Sequence, residues 1–152
     1  MDEQAYRELY REVNHRQCPY EKAILANHCR CSQAQKLLLA EREAVRCENQ
    51  ASHERCQAFL DALRQAMRFA LKTDQTQRLP HARAMRLQVG GLRGLHRALH
   101  DAPPPPIIEE IDGLLTSALA RWKKLEAFPY QSILPEVAAW EGRKPKGRRR
   151  RR

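Results

Sequence analysis

Ser32-Gln33-Ala34-Gln35-Lys36-Leu37-Leu38-Leu39-Ala40-Glu41-Arg42-Glu43-Ala44-Val45-Arg46-Cys47 is the stretch on which the fold class turns. Leu37, Leu38, Ala44 and Val45 fall at helical spacings, and Ser32 offers an N-cap, so the segment reads as a helix ending near Cys47. Helix continuing unbroken to Lys72 would hold Cys47 and Cys56 roughly 13 Å apart and on opposite faces, at about 1.5 Å rise per residue. Glu48-Asn49-Gln50-Ala51-Ser52 is poor in helix formers and offers Ser52 as a second N-cap, so a turn is expected there.

Upstream, Tyr6, Leu9, Tyr10 and Val13 mark an amphipathic helix from Asp2 to about Gln17, with Asp2 and Glu3 at its positive end. Pro19 disfavours helix at Cys18, and a short helix is expected over Glu21 to Asn27. Downstream, Phe59, Leu60, Leu63, Met67 and Ala70 form the clearest stripe in the chain. Thr73 to Leu79 reads as a loop, and Pro80 opens a helix through Met85, Leu87, Val89, Leu92, Leu95 and Leu99, interrupted by Gly90, Gly91 and Gly94. Pro103 to Pro106 is a stiff linker. A helix carrying Ile107, Ile108, Ile111, Leu114, Leu115, Ala118, Leu119 and Trp122 follows, then a shorter one interrupted by Pro135. The expectation is an all-α, single-domain bundle of about five or six helices: a cysteine-containing core over 1–102, C-terminal helices over 107–140 packing on it, and a disordered tail over 141–152.

Composition agrees with that reading. The 152 residues are 42% hydrophobic and 30% charged, with nine aromatics, which suits helices with solvated faces better than a thick sheet core. No apolar run approaches the roughly 20 residues needed to cross a bilayer, and Met1-Asp2-Glu3-Gln4 is unlike a secretory signal, so a cytoplasmic protein is expected. Thiols stay reduced there, which favours metal ligands, reactive thiols or buried small residues over disulfides.

The five cysteines are spaced Cys18-x10-Cys29-x-Cys31-x15-Cys47-x8-Cys56. On the expected helices each lies at a helix end or in a connector, where turns can aim several thiolates at one point. Four thiolates are the usual complement of a 4Fe-4S cluster or a structural zinc, leaving one spare. The spacing matches neither zinc ribbons nor ferredoxin runs, and Cys56 on an apolar stripe also fits an ordinary core residue. Cys18, Cys29, Cys31, Cys47 and Cys56 are therefore the candidate metal residues, with an iron–sulfur cluster favoured over zinc.

Other constellations are weaker. His96 and His100 share a helix face, but no glutamate completes a metalloprotease motif in His96-Arg97-Ala98-Leu99-His100. Glu12-x-x-His15 is half of a di-iron motif without a second copy, and Gly90-Gly91-Leu92-Arg93-Gly94 lacks the ending of a P-loop. Glu41, beside the apolar stripe, would pair with Arg42, Arg64 or Arg68 or reach solvent. No catalytic triad is defensible from spacing, so a non-catalytic protein is expected.

The net charge of +10 is concentrated at the C-terminus. Arg143, Lys144, Lys146, Arg148, Arg149, Arg150, Arg151 and Arg152 oppose only Glu141 there, and the other 140 residues carry 20 basic and 17 acidic groups. The tail suits RNA, the ribosome, an acidic protein or an anionic membrane surface, or simply keeps the chain soluble. Eight contacts to single-stranded nucleic acid would give a salt slope of roughly −6.

The runs Cys18-Pro-Tyr-Glu-Lys-Ala-Ile-Leu, Leu39-Ala-Glu-Arg-Glu-Ala-Val-Arg-Cys47, Arg68-Phe-Ala-Leu71 and His81-Ala-Arg-Ala-Met-Arg-Leu-Gln-Val-Gly-Gly-Leu92 resemble a group of small proteobacterial cysteine-containing proteins with a basic C-terminus. That group has no established activity, so the resemblance implies a bacterial cytosolic protein. Its members often have cysteine where this chain has Val89, which leaves the five cysteines here to suffice. Taken together, the expected function is a redox or metal sensor, a carrier or an electron-transfer accessory, with a redox protein as a possible partner. The alternatives are a zinc-stapled nucleic-acid- or ribosome-associated protein and a metal-free helical adaptor.

Overall fold

A computed structural model describes residues 2–71 and 81–142. The residues 32–47 form a β-hairpin instead of a helix: β1 (Ala34–Leu39) pairs antiparallel with β2 (Arg42–Cys47), in a register placing Ala34 opposite Cys47 and Leu39 opposite Arg42. The fold is thus mostly helical with a two-stranded sheet, and the all-α expectation is corrected.

The cause is tertiary. Helix would have placed Leu37 and Leu38 together on a buried stripe, yet Leu38 is 72% exposed while Leu39, Val45 and Cys47 are buried. The outer edge of β2 is taken by the Arg16 to Cys18 segment, with Cys18 N donating to Val45 O (3.0 Å) and Cys47 N to Arg16 O (2.9 Å). Side chains add to this. Glu21 accepts from Val45 N (2.8 Å) and from the Tyr10 hydroxyl (2.5 Å), and Asn14 Nδ2 donates to Val45 O (3.1 Å). No local propensity encodes these partners.

The hairpin turn is Ala40-Glu41, both at positive φ (48° and 70°), as a type I′ turn requires. Glu41 is exposed on it, away from any apolar helix face. Left-handed backbone costs non-glycine residues about 1–2 kcal/mol each. The Ala40→Asn/Glu41→Gly pair is therefore expected to raise stability by about 1–2 kcal/mol; an unmoved urea midpoint would count against this turn assignment.

The helices follow from ordinary signals. Asp2 Oδ1 accepts from Ala5 N (2.7 Å) to cap α1 (Glu3–Val13). After Cys18-Pro19 comes the short α2 (Glu21–Leu25). Asn49, not Ser52, caps α3 (Gln50–Leu71), accepting from Ser52 N at 2.9 Å. Phe59, Leu60 and Leu63 are buried along α3.

Beyond residue 80 run α4 (His81–Met85), a π-helical turn (Arg86–Gly90) and α5 (Gly91–His100). In the π turn the buried Gln88 Oε1 accepts from Ala23 N (3.2 Å), tying this segment to α2. Next come α6 (Ile111–Trp122) and α7 (Tyr130–Ala139), the latter containing Pro135. Ile107 and Ile108 precede α6, and Ile108 forms a parallel bridge with Cys29. The core joins Tyr20 and Ile24 of the N-terminal part to Phe59, Leu63, Leu92, Leu95, Leu115 and Ile133.

Candidate metal centre

All five cysteines are free thiols, and four are buried; Cys31 is half-buried. They come from four separate segments. Cys18 precedes α2, Cys29 and Cys31 lie in the connector before β1, Cys47 closes β2, and Cys56 occupies the second turn of α3. The bend that allows Cys47 and Cys56 to share a locality lies at Glu48-Asn49, although a strand leads into it where a helix was expected.

The thiols lie close enough to act on one another electrostatically. Burial pushes Cys18 up to about 12, opposed by the Tyr20 N–H at its sulfur, and the potential charges of Cys31 and Cys47 add to the rise. Burial likewise pushes Cys29 to about 12, with contributions from Cys18 and Cys31. Cys56 is raised still further, by burial first and then by Cys18, Cys31 and Cys47. Cys31 reaches about 11: burial is the largest cause, backbone N–H groups of Gln33 and Asp112 oppose it, and the Glu110 carboxylate reinforces it.

Several sulfurs already meet the backbone. Tyr20 N donates to Cys18 Sγ (3.4 Å), two residues along the chain, and Gln33 N stands in the same relation to Cys31. The Cys47 thiol donates to Asn49 O (3.2 Å). Hydrogen bonds onto sulfur favour thiolate and are among the features that tune iron–sulfur sites. Among the described residues, no three His, Cys, Asp or Glu side chains are set around one point to hold a single ion.

Tyr20 sits among these thiols. It is fully buried, and its hydroxyl has no hydrogen-bond partner among the described residues. Burial raises its pKa well above the usual value, and of the neighbouring thiols Cys56 acts most strongly, then Cys29, Cys18 and Cys31. Sequence reasoning missed Tyr20, Glu110 and Asp112. A tyrosine next to Cys-Pro is indistinguishable from a core aromatic in sequence, and the last two reach Cys31 only through the fold.

The remaining candidates lie elsewhere. His96 and His100 have ring centroids 4.3 Å apart beside a cavity of about 330 Å³, also lined by Leu99, Ile108 and Glu110. Burial lowers the His96 pKa, and its buried Nδ1 finds no partner among the described residues. The eight tail cations, Arg143 to Arg152, and the expected loop over residues 73–79 lie outside the described residues. No helix among the described residues is long and apolar enough to cross a membrane.

No family model, curated protein or solved structure matches this chain.

Proposed function

We propose that the protein binds an iron–sulfur cluster through its cysteines and serves as a redox or metal sensor or an electron-transfer accessory in a reducing compartment such as the cytosol. The observation that carries this reading is that free thiols from separate segments share one core, with Cys18, Cys29 and Cys56 inside it and Cys31 packed against it. The donor set is all sulfur, which suits iron–sulfur clusters and other soft-ligand metals and disfavours calcium or magnesium. Ordinary core cysteines need no such gathering, nor backbone N–H groups directed at Cys18 and Cys31.

Burial keeps the metal-free thiols protonated, so loading must expel thiol protons, and affinity falls as pH falls. The basic tail would add an anionic partner such as RNA, the ribosome or an acidic protein, through contacts that weaken with salt. Protein purified without oxygen is expected to be brown and to contain near-stoichiometric iron and acid-labile sulfide. A colourless protein with stoichiometric zinc would favour the zinc-stapled alternative, and the absence of all three would discard metal binding.

A further inference from the structure

We propose that the free edge of β1 is a docking strand for a second copy of this chain, the two β1 strands pairing antiparallel about a two-fold axis at Leu37. The pairing does not depend on the metal-binding reading.

Which backbone groups are free follows from the hairpin register. In an antiparallel ladder, two residues opposite each other either exchange both hydrogen bonds or both point away from one another. On β2, Val45 O and Cys47 N are engaged from outside the hairpin, by Cys18 N (3.0 Å) and Arg16 O (2.9 Å), and Val45 N donates to Glu21 (2.8 Å). Val45, Cys47 and, by alternation, Glu43 therefore point away from β1, and their opposites Lys36, Ala34 and Leu38 point away from β2. Ala34 N donates to Cys31 O (3.2 Å), whereas the N–H and C=O groups of Lys36 and Leu38 find no partner among the described residues. The outer edge of β2 is thus covered and that of β1 is open. Nor is β1 blunted: it pairs with β2 without a bulge, contains no proline and carries the exposed Leu38.

A second copy completes this edge in one register. With the axis at Leu37, Lys36 of each copy lies opposite Leu38 of the other. The two N–H and two C=O groups on each strand then form four interchain hydrogen bonds, and Leu37 meets its own copy at a closely spaced position without hydrogen bonds. Moving the axis to residue 36 would set lysine against lysine, and like charges directly opposite destabilise a sheet. Moving it to residue 38 would pair Lys36 with Ala40, inside the positive-φ turn. At Leu37 the charges complement each other instead. Glu43 is the neighbour of Leu38 on the same face, so Lys36 of the second copy reaches across Leu38 towards it, and the lysine stem covers the exposed leucine. The symmetry supplies this Lys36–Glu43 approach twice. Register and charge together select a second copy over an unrelated extended segment. Two short edges bury less than a standard interface, so the dimer is weak and concentration-dependent.

Sedimentation of the full chain in reductant, from low micromolar to several hundred micromolar, is expected to show a monomer–dimer equilibrium. Leu38→Lys sets lysine against lysine twice and should weaken association roughly tenfold. Lys36→Glu should also weaken it, and the Lys36→Glu/Glu43→Lys double variant should restore it, which a mere loss of folding would not do. Leu37→Cys should give a disulfide-linked dimer on mild oxidation, because facing residues at a non-hydrogen-bonded position lie within disulfide reach. Leu38→Cys, offset from its own copy, should crosslink no more than wild type. A wild type that stays monomeric throughout would overturn the proposal, and this includes an edge that takes up only an unrelated strand. A dimer indifferent to Leu38→Lys and to the charge exchange, or one crosslinked through residue 38 rather than 37, would overturn it equally.

Discussion

Metal-free protein titrated upward in reductant and chelator is expected to hold its structure to about pH 9 and to unfold roughly between pH 10 and 11. Cys18 and Cys29 are pushed to about 12 and Cys31 to about 11, against an ordinary thiol value of 9.0, and Cys56 is raised further. Below pH 9 these thiols are neutral in both folded and unfolded chains, so they impose no pH dependence. Above it the unfolded chain sheds protons that the folded one retains, and stability declines until the folded values are passed. The slope is up to about 1.4 kcal/mol per pH unit for each thiol. Four such groups remove about 5 kcal/mol per unit, comparable with the total stability of roughly 5–15 kcal/mol typical of a domain. Circular dichroism against pH checks this, and Cys29→Val should flatten the slope by about one thiol's share. Stability that stayed level through pH 10.5 would show that these sulfurs are far better solvated than their burial implies. Metal loading should reverse the dependence, because bound thiolates have already given up their protons.

The second large effect concerns the packing of the π-helical turn and α5 on α7. Replacing a mid-helix glycine by alanine ordinarily gains about 1 kcal/mol. At Gly94, however, a Cβ would stand 2.7 Å from Ile133 O, and at Gly90 it would stand 2.6 Å from Val137 Cα. Both obstacles are backbone, so α7 has to retreat and uncover Ile133 and Val137, which are 0% and 1% exposed. Gly94→Ala and Gly90→Ala are each expected to cost about 2–3 kcal/mol, lowering Tm by roughly 6–10 °C. Gly113→Ala is the control: its Cβ meets only the Glu110 side chain, which can shift, and the change should stay within about 1 kcal/mol. Calorimetry on the three variants separates the cases, and equal Tm changes would remove the close-approach explanation.

How far residues announce structure varied along the chain. Asp2 and the Tyr6 to Val13 pattern marked α1, and the Phe59, Leu60 and Leu63 stripe marked α3, because each of these signals acts over one or two helical turns; α1 nevertheless ends at Val13, short of the expected Gln17, where Arg16 to Cys18 turns to pair with β2. The hairpin is not legible locally because Leu37, Leu38, Ala44 and Val45 mimic a helical stripe, while the groups that hold it as sheet, Arg16, Cys18 and Glu21, stand elsewhere in the chain. The expected N-cap at Ser52 belongs to Asn49, three residues earlier, a shift typical of helix boundaries. At the candidate centre, the five cysteines and the bend between two of them were readable. The orphan hydroxyl of Tyr20 and the Asp112 N–H at Cys31 were not, since both depend on side-chain direction and on pairing across the whole core.

The bridge between Cys29 and Ile108 spans 79 residues of chain. Arg30 N donates to Ile108 O at 2.8 Å and Ile108 N to His28 O at 3.4 Å, so the backbone flanking Cys29 is completed only by residues beyond the tetraproline. A polypeptide emerging from N- to C-terminus cannot finish this connector until the linker has been made and folded back, and closing so long a loop is entropically slow. Maturation of the sulfur-lined interior is consequently a late event in the life of each molecule, and a chain ending before residue 108 would leave that interior open to water.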